Sequence, residues 1–114
     1  MKLFTIPKLT FVLLVLPAFL FAQTEKKKTE VVYIQTSAIC DECKETIEHA
    51  VNKLDGVKKV SLNLEDKKIE VTYQPSKVTA DDIRVAISRS GYDADEIKAD
   101  PTAYAKLPMC CKKE

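Results

Sequence analysis

A small α+β domain with the order strand, helix, strand, strand, helix, strand is predicted for this 114-residue chain by three observations. A β-branched and aromatic run opens it. Apolar residues then recur at helical spacing in two separate stretches, and between those stretches they alternate with polar ones across a short charged turn. Folded together, these elements give the ferredoxin-like βαββαβ arrangement, a four-stranded antiparallel sheet with two helices on one face. The preference for right-handed crossovers sets the hand of each strand-helix-strand unit.

Val31-Val32-Tyr33-Ile34-Gln35-Thr36 reads as the first strand, with apolar residues on both of its faces. Cys43, Ile47, Ala50, Val51 and Leu54 then fall on one helical stripe, with Asp41 as cap and Asp55-Gly56 as the stop. Lys44, Glu45, Glu48, His49, Asn52 and Lys53 occupy the opposite, water-facing side. Val60, Leu62 and Leu64 alternate with Ser61 and Asn63; after the turn Glu65-Asp66-Lys67-Lys68, Ile69, Val71 and Tyr73 alternate with Glu70 and Thr72. Period two on both sides of a polar turn predicts a hairpin with one buried face. Thr79 and Asp82 have the spacing of a capping box, Ile83, Ala86 and Ile87 form the second apolar stripe, and Gly91 closes it. Tyr92 to Lys98, short and acidic, is expected as an edge strand.

The N-terminus reads as a secretory leader. Lys2 and Lys8 give a positive start, Leu9 to Ala22 is apolar apart from Thr10, Pro17 shortens the run, and Ala22 precedes a polar turn of composition at Gln23. The chain is therefore expected to divide into a leader over 1–22, a charged lead-in over 23–30, the domain over 31–98 and a tail over 99–114. The mature form would be periplasmic or extracellular and would not span a membrane. Loss of Lys2 and Lys8, with no acidic residue, takes the formal net charge from +1 to −1. Such near-neutrality, with the signs interspersed, gives no electrostatic footprint for nucleic acid. No Ser/His/Asp set, loop carboxylate pair or phosphate-cradling glycine loop is present, so no enzyme is expected.

Chemistry concentrates at Ser37-Ala38-Ile39-Cys40-Asp41-Glu42-Cys43-Lys44, where the first strand gives way to the first helix. The backbone N–H groups and positive end of that helix point at the two sulfurs and favour thiolate, the form that binds metal. Two soft sulfurs about one helical turn apart can hold Cu(I) near-linearly or supply half of a tetrahedral Zn(II) site. In an exported chain the same cysteines could also form a staple or a redox couple. A redox pair of the thioredoxin type needs a longer chain, and no proline or aromatic residue lies inside or just before the CxxC. The single histidine, His49, is placed on the polar helix face, and Met109 in the tail is as easily filler as a thioether donor.

With Leu54-Asp55-Gly56-Val57 after the first helix and Ser90-Gly91-Tyr92-Asp93-Ala94 after the second, the chain resembles the heavy-metal-associated domain. That domain occurs in copper chaperones, in mercury-binding periplasmic proteins and at the N-terminus of metal-pumping ATPases. The resemblance covers roughly Val31 to Lys98. It implies a carrier of soft metal ions, Cu(I) ahead of Zn(II) or Hg(II), ligated by Cys40 and Cys43 with Tyr92 close by. It also implies a metal-transporting ATPase or another metal-binding domain as partner. Where the family has Gly-Met-Thr or Gly-Met-His before the first cysteine, this chain has Ser37-Ala38-Ile39, so the methionine side chain that normally packs under the loop is missing, and Ala38 and Ile39 are the residues next to the ligands.

The tail carries a second pair. Asp100 and Pro101 begin a short helix, Pro108 stops it, and Met109-Cys110-Cys111 follows. A fourth strand would leave the tail at the far end of the sheet, but twelve steps of chain from Lys98 to Cys110 suffice for a return. The tail is expected to fold back and bring Cys110 and Cys111 to Cys40 and Cys43. Extra thiolates would favour Zn(II), Cd(II) or a Cu(I) cluster over two-coordinate Cu(I). Disulfides between the two pairs, or between two chains, are the alternative; a Cys110–Cys111 bridge is disfavoured by strain.

Overall fold

The computed structural model describes residues 28–112; the expected leader and most of the lead-in lie outside them. Strand β1 (Glu30–Gln35) leads into helix α1 (Asp41–Asn52), the hairpin β2 (Val57–Asn63) and β3 (Lys68–Tyr73), and helix α2 (Ala80–Arg89). A short helix α3 (Pro101–Ala105) and a 3₁₀ turn (Met109–Cys111) follow. The sheet is antiparallel with β3 in the middle, in the order β1-β3-β2. The helices pack on it, α1 against both β2 and α2.

The period-two pattern is realised as expected. Leu62, Ile69, Val71 and Tyr73 are buried, with Val60 and Leu64 half-buried beside them. In β1, whose two faces the sequence left undecided, Ile34 is fully buried while Tyr33 is 60% exposed, so the even-numbered face meets the core. From the helices, Cys43, Ile47, Val51, Ile83 and Ile87 close the same core. Glu48, expected to face water, instead accepts a hydrogen bond from the backbone N–H of Leu62 at 2.8 Å and ties α1 to β2.

Three expectations need correction. Among the described residues the sheet has three strands, not four. The 92–98 segment forms no ladder with β1, its strand-like pairing there being an isolated bridge between Thr36 and Ala94, because Ala94 and Ile97 bond each other across a tight turn. Asp95 enters the left-handed region there, with φ 54°. Its carboxylate does what a strand would have done: Oδ1 accepts the Gln35 N–H at 2.9 Å and Oδ2 accepts from Arg84 Nε at 2.9 Å.

The cap of α1 is Cys40, in extended conformation, not Asp41, which lies in the first turn. The capping box at Thr79 and Asp82, by contrast, is complete.

The tail also takes a shorter path. With no fourth strand to carry it to the far end, the Asp100 N–H bonds the Ser88 carbonyl at the end of α2, at 3.0 Å. Helix α3 starts there, capped by Asp100, which accepts from the Ala103 N–H at 3.0 Å, with Pro101 at its first position.

Candidate metal centre

The loop that carries Cys40 is held from two sides. Thr36 Oγ1 donates to the Lys67 carbonyl at the hairpin turn, at 2.8 Å, and accepts from the Ala38 N–H at 3.2 Å. Ser37 Oγ accepts from the Asp93 N–H at 2.9 Å. Ala38 is fully buried under the loop and Ile39 is 41% exposed on its outside. This places Cys40, half-buried, at the start of α1 and Cys43, fully buried, in its first turn, with their sulfurs 3.2 Å apart.

The tail closes over them. Helix α3 ends at Ala105 with Lys106 as its C-cap, before the Pro108 expected to stop it; Pro108 instead opens the 3₁₀ turn, and its carbonyl accepts the Cys111 N–H at 2.9 Å, with Cys111 buried and Cys110 exposed. Cys111 is 1% exposed and its sulfur lies 3.3 Å from that of Cys40. Cys110 is exposed, 3.7 Å from Cys40 and 3.9 Å from Cys111, and its thiol donates to Glu42 Oε1 at 3.1 Å. Cys40 is thus the hub, within 3.7 Å of the other three sulfurs. All four are free thiols, and no pair approaches the roughly 2.05 Å of a disulfide.

Sequence reasoning did not single out Glu42. Its carboxylate and the sulfurs of Cys40, Cys110 and Cys111 all lie within 4.8 Å of one another. The one available signal was an acidic residue between the two cysteines, and its meaning depends on a tail 68 residues further along. His49 is exposed on α1, and Met109 is 82% exposed.

The electrostatics are uneven. The Cys43 thiol, and after it the Cys43 backbone N–H, favour the Cys40 thiolate and hold it down to about 7, although Cys40 makes no capping hydrogen bond of ordinary geometry. Glu42 accepting its proton, and then Cys40, push Cys110 up to about 11. Burial, and then Cys43, push Cys111 up as well. Tyr92, 1% exposed, has a hydroxyl with no hydrogen-bond partner of ordinary geometry. Burial, and after it Cys111 and Cys43, raise its ionisation far above that of a free phenol, so it remains an O–H beside the sulfurs. The arrangement offers one ready thiolate at Cys40, shared between the Cys43 thiol on one side and the Cys110 and Cys111 thiols with the Glu42 carboxylate on the other, donors suited to a soft or borderline cation.

The family model of the heavy-metal-associated domain matches residues 37–93. The copper chaperone CopZ of Staphylococcus epidermidis is 39% identical over 54 residues, 47% of this chain and 79% of that protein. A solved structure of the CopZ metallochaperone is 33% identical with a TM-score of 0.56, over 57% of this chain and 98% of that one. That of oxidised MerP from Ralstonia metallidurans CH34 is 26% identical with a TM-score of 0.58, over 60% of this chain and 96% of that one.

Proposed function

This chain belongs to the heavy-metal-associated domain family, and from that membership we propose that it binds Cu(I) through Cys40 and Cys43, with Cys110 and Cys111 completing the site. It is a metal-binding protein and not an enzyme. The observation that carries the proposal is the position of Cys111, buried and 3.3 Å from Cys40 although 71 residues away in sequence. A carrier that exchanges its ion freely needs an open cysteine pair; here the tail lies on the pair. Sequestration or gated release therefore fits better than unassisted transfer.

Exchange, where it occurs, proceeds thiolate by thiolate. Cys40 is half-buried and already inclined to ionise, while Cys43 and Cys111 are enclosed, so an incoming sulfur meets Cys40 or the exposed Cys110 first. The partner suited to this is another metal-binding domain, such as that of a metal-transporting ATPase, which offers its own cysteine pair. Export after cleavage at Ala22 is part of the same proposal, and the N-terminal mass of the secreted chain tests it.

The deciding experiment is titration of the reduced chain with Cu(I) against a competing chelator, with a thiol count, repeated with Zn(II) and Hg(II). The same titration is then run on the double variant Cys110→Ser/Cys111→Ser. Weaker Cu(I) binding and a lower sulfur count in the variant support the proposal; unchanged affinity and coordination number remove the tail from the site. Efficient insulin reduction would instead make the chain a thiol-disulfide protein.

A further inference from the structure

We infer that Glu42 is itself a metal ligand, in a mixed donor set with Cys40, Cys110 and Cys111 that takes a divalent borderline ion such as Zn(II). The inference rests on the proposal that the tail cysteines join the site, and adds to it a second donor set and a second class of ion.

The geometry separates two overlapping groups. The Glu42 carboxylate and three sulfurs lie within 4.8 Å of one another. Zn–S bonds of about 2.3 Å in a tetrahedron put sulfurs roughly 3.8 Å apart. Cys40–Cys110 and Cys110–Cys111, at 3.7 and 3.9 Å, already have that spacing; among the sulfurs only Cys40–Cys111, at 3.3 Å, must open, and the Glu42 carboxylate, within 4.8 Å of all three, turns onto the ion. Cys40–Cys43 is tighter still, at 3.2 Å.

Position and chemistry agree with this division. Glu42 and Cys110 are exposed, so the mixed set opens to solvent, whereas Cys43 and Cys111 are enclosed. A carboxylate oxygen is a hard donor that adds little for Cu(I) and is an ordinary ligand of Zn(II). The carboxylate is built into the first turn of α1 and already accepts the Cys110 S–H at 3.1 Å. On metal binding that proton leaves to solvent, as do those of the other ligating thiols, and the ion takes its place without any change in oxidation state. Because Cys40 serves both groups, Cu(I) at Cys43 and Zn(II) at Glu42 exclude each other.

The test compares the reduced chain with Glu42→Gln, an exposed substitution that keeps the shape of the side chain. Zn(II) affinity is measured by chelator competition, Co(II) absorption reads the geometry, and Cu(I) affinity is measured in parallel. The variant is expected to lose about tenfold or more in Zn(II) affinity, since even indirect partners of a metal site account for that much. Its Co(II) spectrum should shift, and its Cu(I) affinity should stay within about twofold of the parent. Cys43→Ser should show the converse, retaining Zn(II) and losing Cu(I). Unchanged Zn(II) affinity in Glu42→Gln, or an X-ray absorption spectrum of the Zn(II) form with four sulfurs and no oxygen, overturns the inference while leaving the Cu(I) proposal standing. A parent chain that binds neither ion overturns both.

Discussion

Gly91 lies directly against the backbone of Ala103. A Cβ at Gly91 would stand 3.2 Å from both the carbonyl carbon and the oxygen of Ala103, and 3.2 Å from Leu107 Cδ2. Its φ of +105° is itself strained for any side chain. This contact seats the tail on the end of α2 and aims the Cys110-Cys111 turn at the loop. Gly91→Ala is therefore expected to cost of order 1–3 kcal/mol from the backbone conformation alone. It should also displace α3, and a thermal melt together with faster alkylation of Cys111 in native protein measures both effects.

Asp95 stands where a fourth strand was expected, and its loss should loosen the same end of the sheet. Asp95→Ala removes the acceptor for the Gln35 N–H and the less exposed of the two carboxylate partners of Arg84, the other being Asp81. A cost of about 1–3 kcal/mol is expected. Asp95→Asn tolerates the left-handed backbone and keeps the acceptor, so its denaturation midpoint should fall between those of the parent and the alanine variant.

The metal-free protein should be alkylated first at Cys40. Its thiol is held down to about 7 chiefly by Cys43, while Cys110 is pushed up to about 11 by Glu42. Thiolate is the reactive form, so reactivity rises with pH through the pKa: about half of Cys40 is ionised at pH 7 and about one tenth at pH 6. Peptide mapping after brief iodoacetamide treatment across that range reads the order directly. Cys110→Ser/Cys111→Ser removes two thiols that also favour the Cys40 thiolate, so its midpoint should move upward.

Glu48 offers a further check on how α1 is anchored. Glu48→Ala leaves the Leu62 N–H without its 2.8 Å partner on an edge strand that water can reach, so the loss should be about 1 kcal/mol. Hydrogen exchange at Leu62 should accelerate by more than exchange at Val71, in the central strand.

Most of the framework was legible because it rests on local, repeated signals. Period two over Val60–Leu64 and Ile69–Tyr73, the Thr79/Asp82 box and the Asp100-Pro101 start each state their structure within a few residues. The stretch 92–98 did not, since its sparse acidic pattern suits an edge strand and a carboxylate-capped turn equally, and only the meeting of Asp95 with Arg84 and Gln35 decides between them. Asp41 has the side chain of a common cap, but the extended Cys40 takes that place and leaves Asp41 inside the first turn. At the site, two adjacent cysteines in the tail with chain enough to return point to the gathering at Cys40, though the path taken is shorter than the expected one. The hydrogen bond from Cys110 to Glu42 is not legible in the sequence, because Glu42, though it lies between the two cysteines, is an exposed acid of the first helical turn until the tail is brought to it.

The meeting of Cys40 with Cys111 has one more consequence. An ion gripped by both would join the two ends of a 71-residue span, nearly the whole folded body, as a removable cross-link. By the entropy of an equivalent disulfide loop, such a clasp is worth about 4 kcal/mol against unfolding. Loaded and empty protein should then differ sharply in their resistance to proteases, so cargo occupancy would set how long each molecule survives.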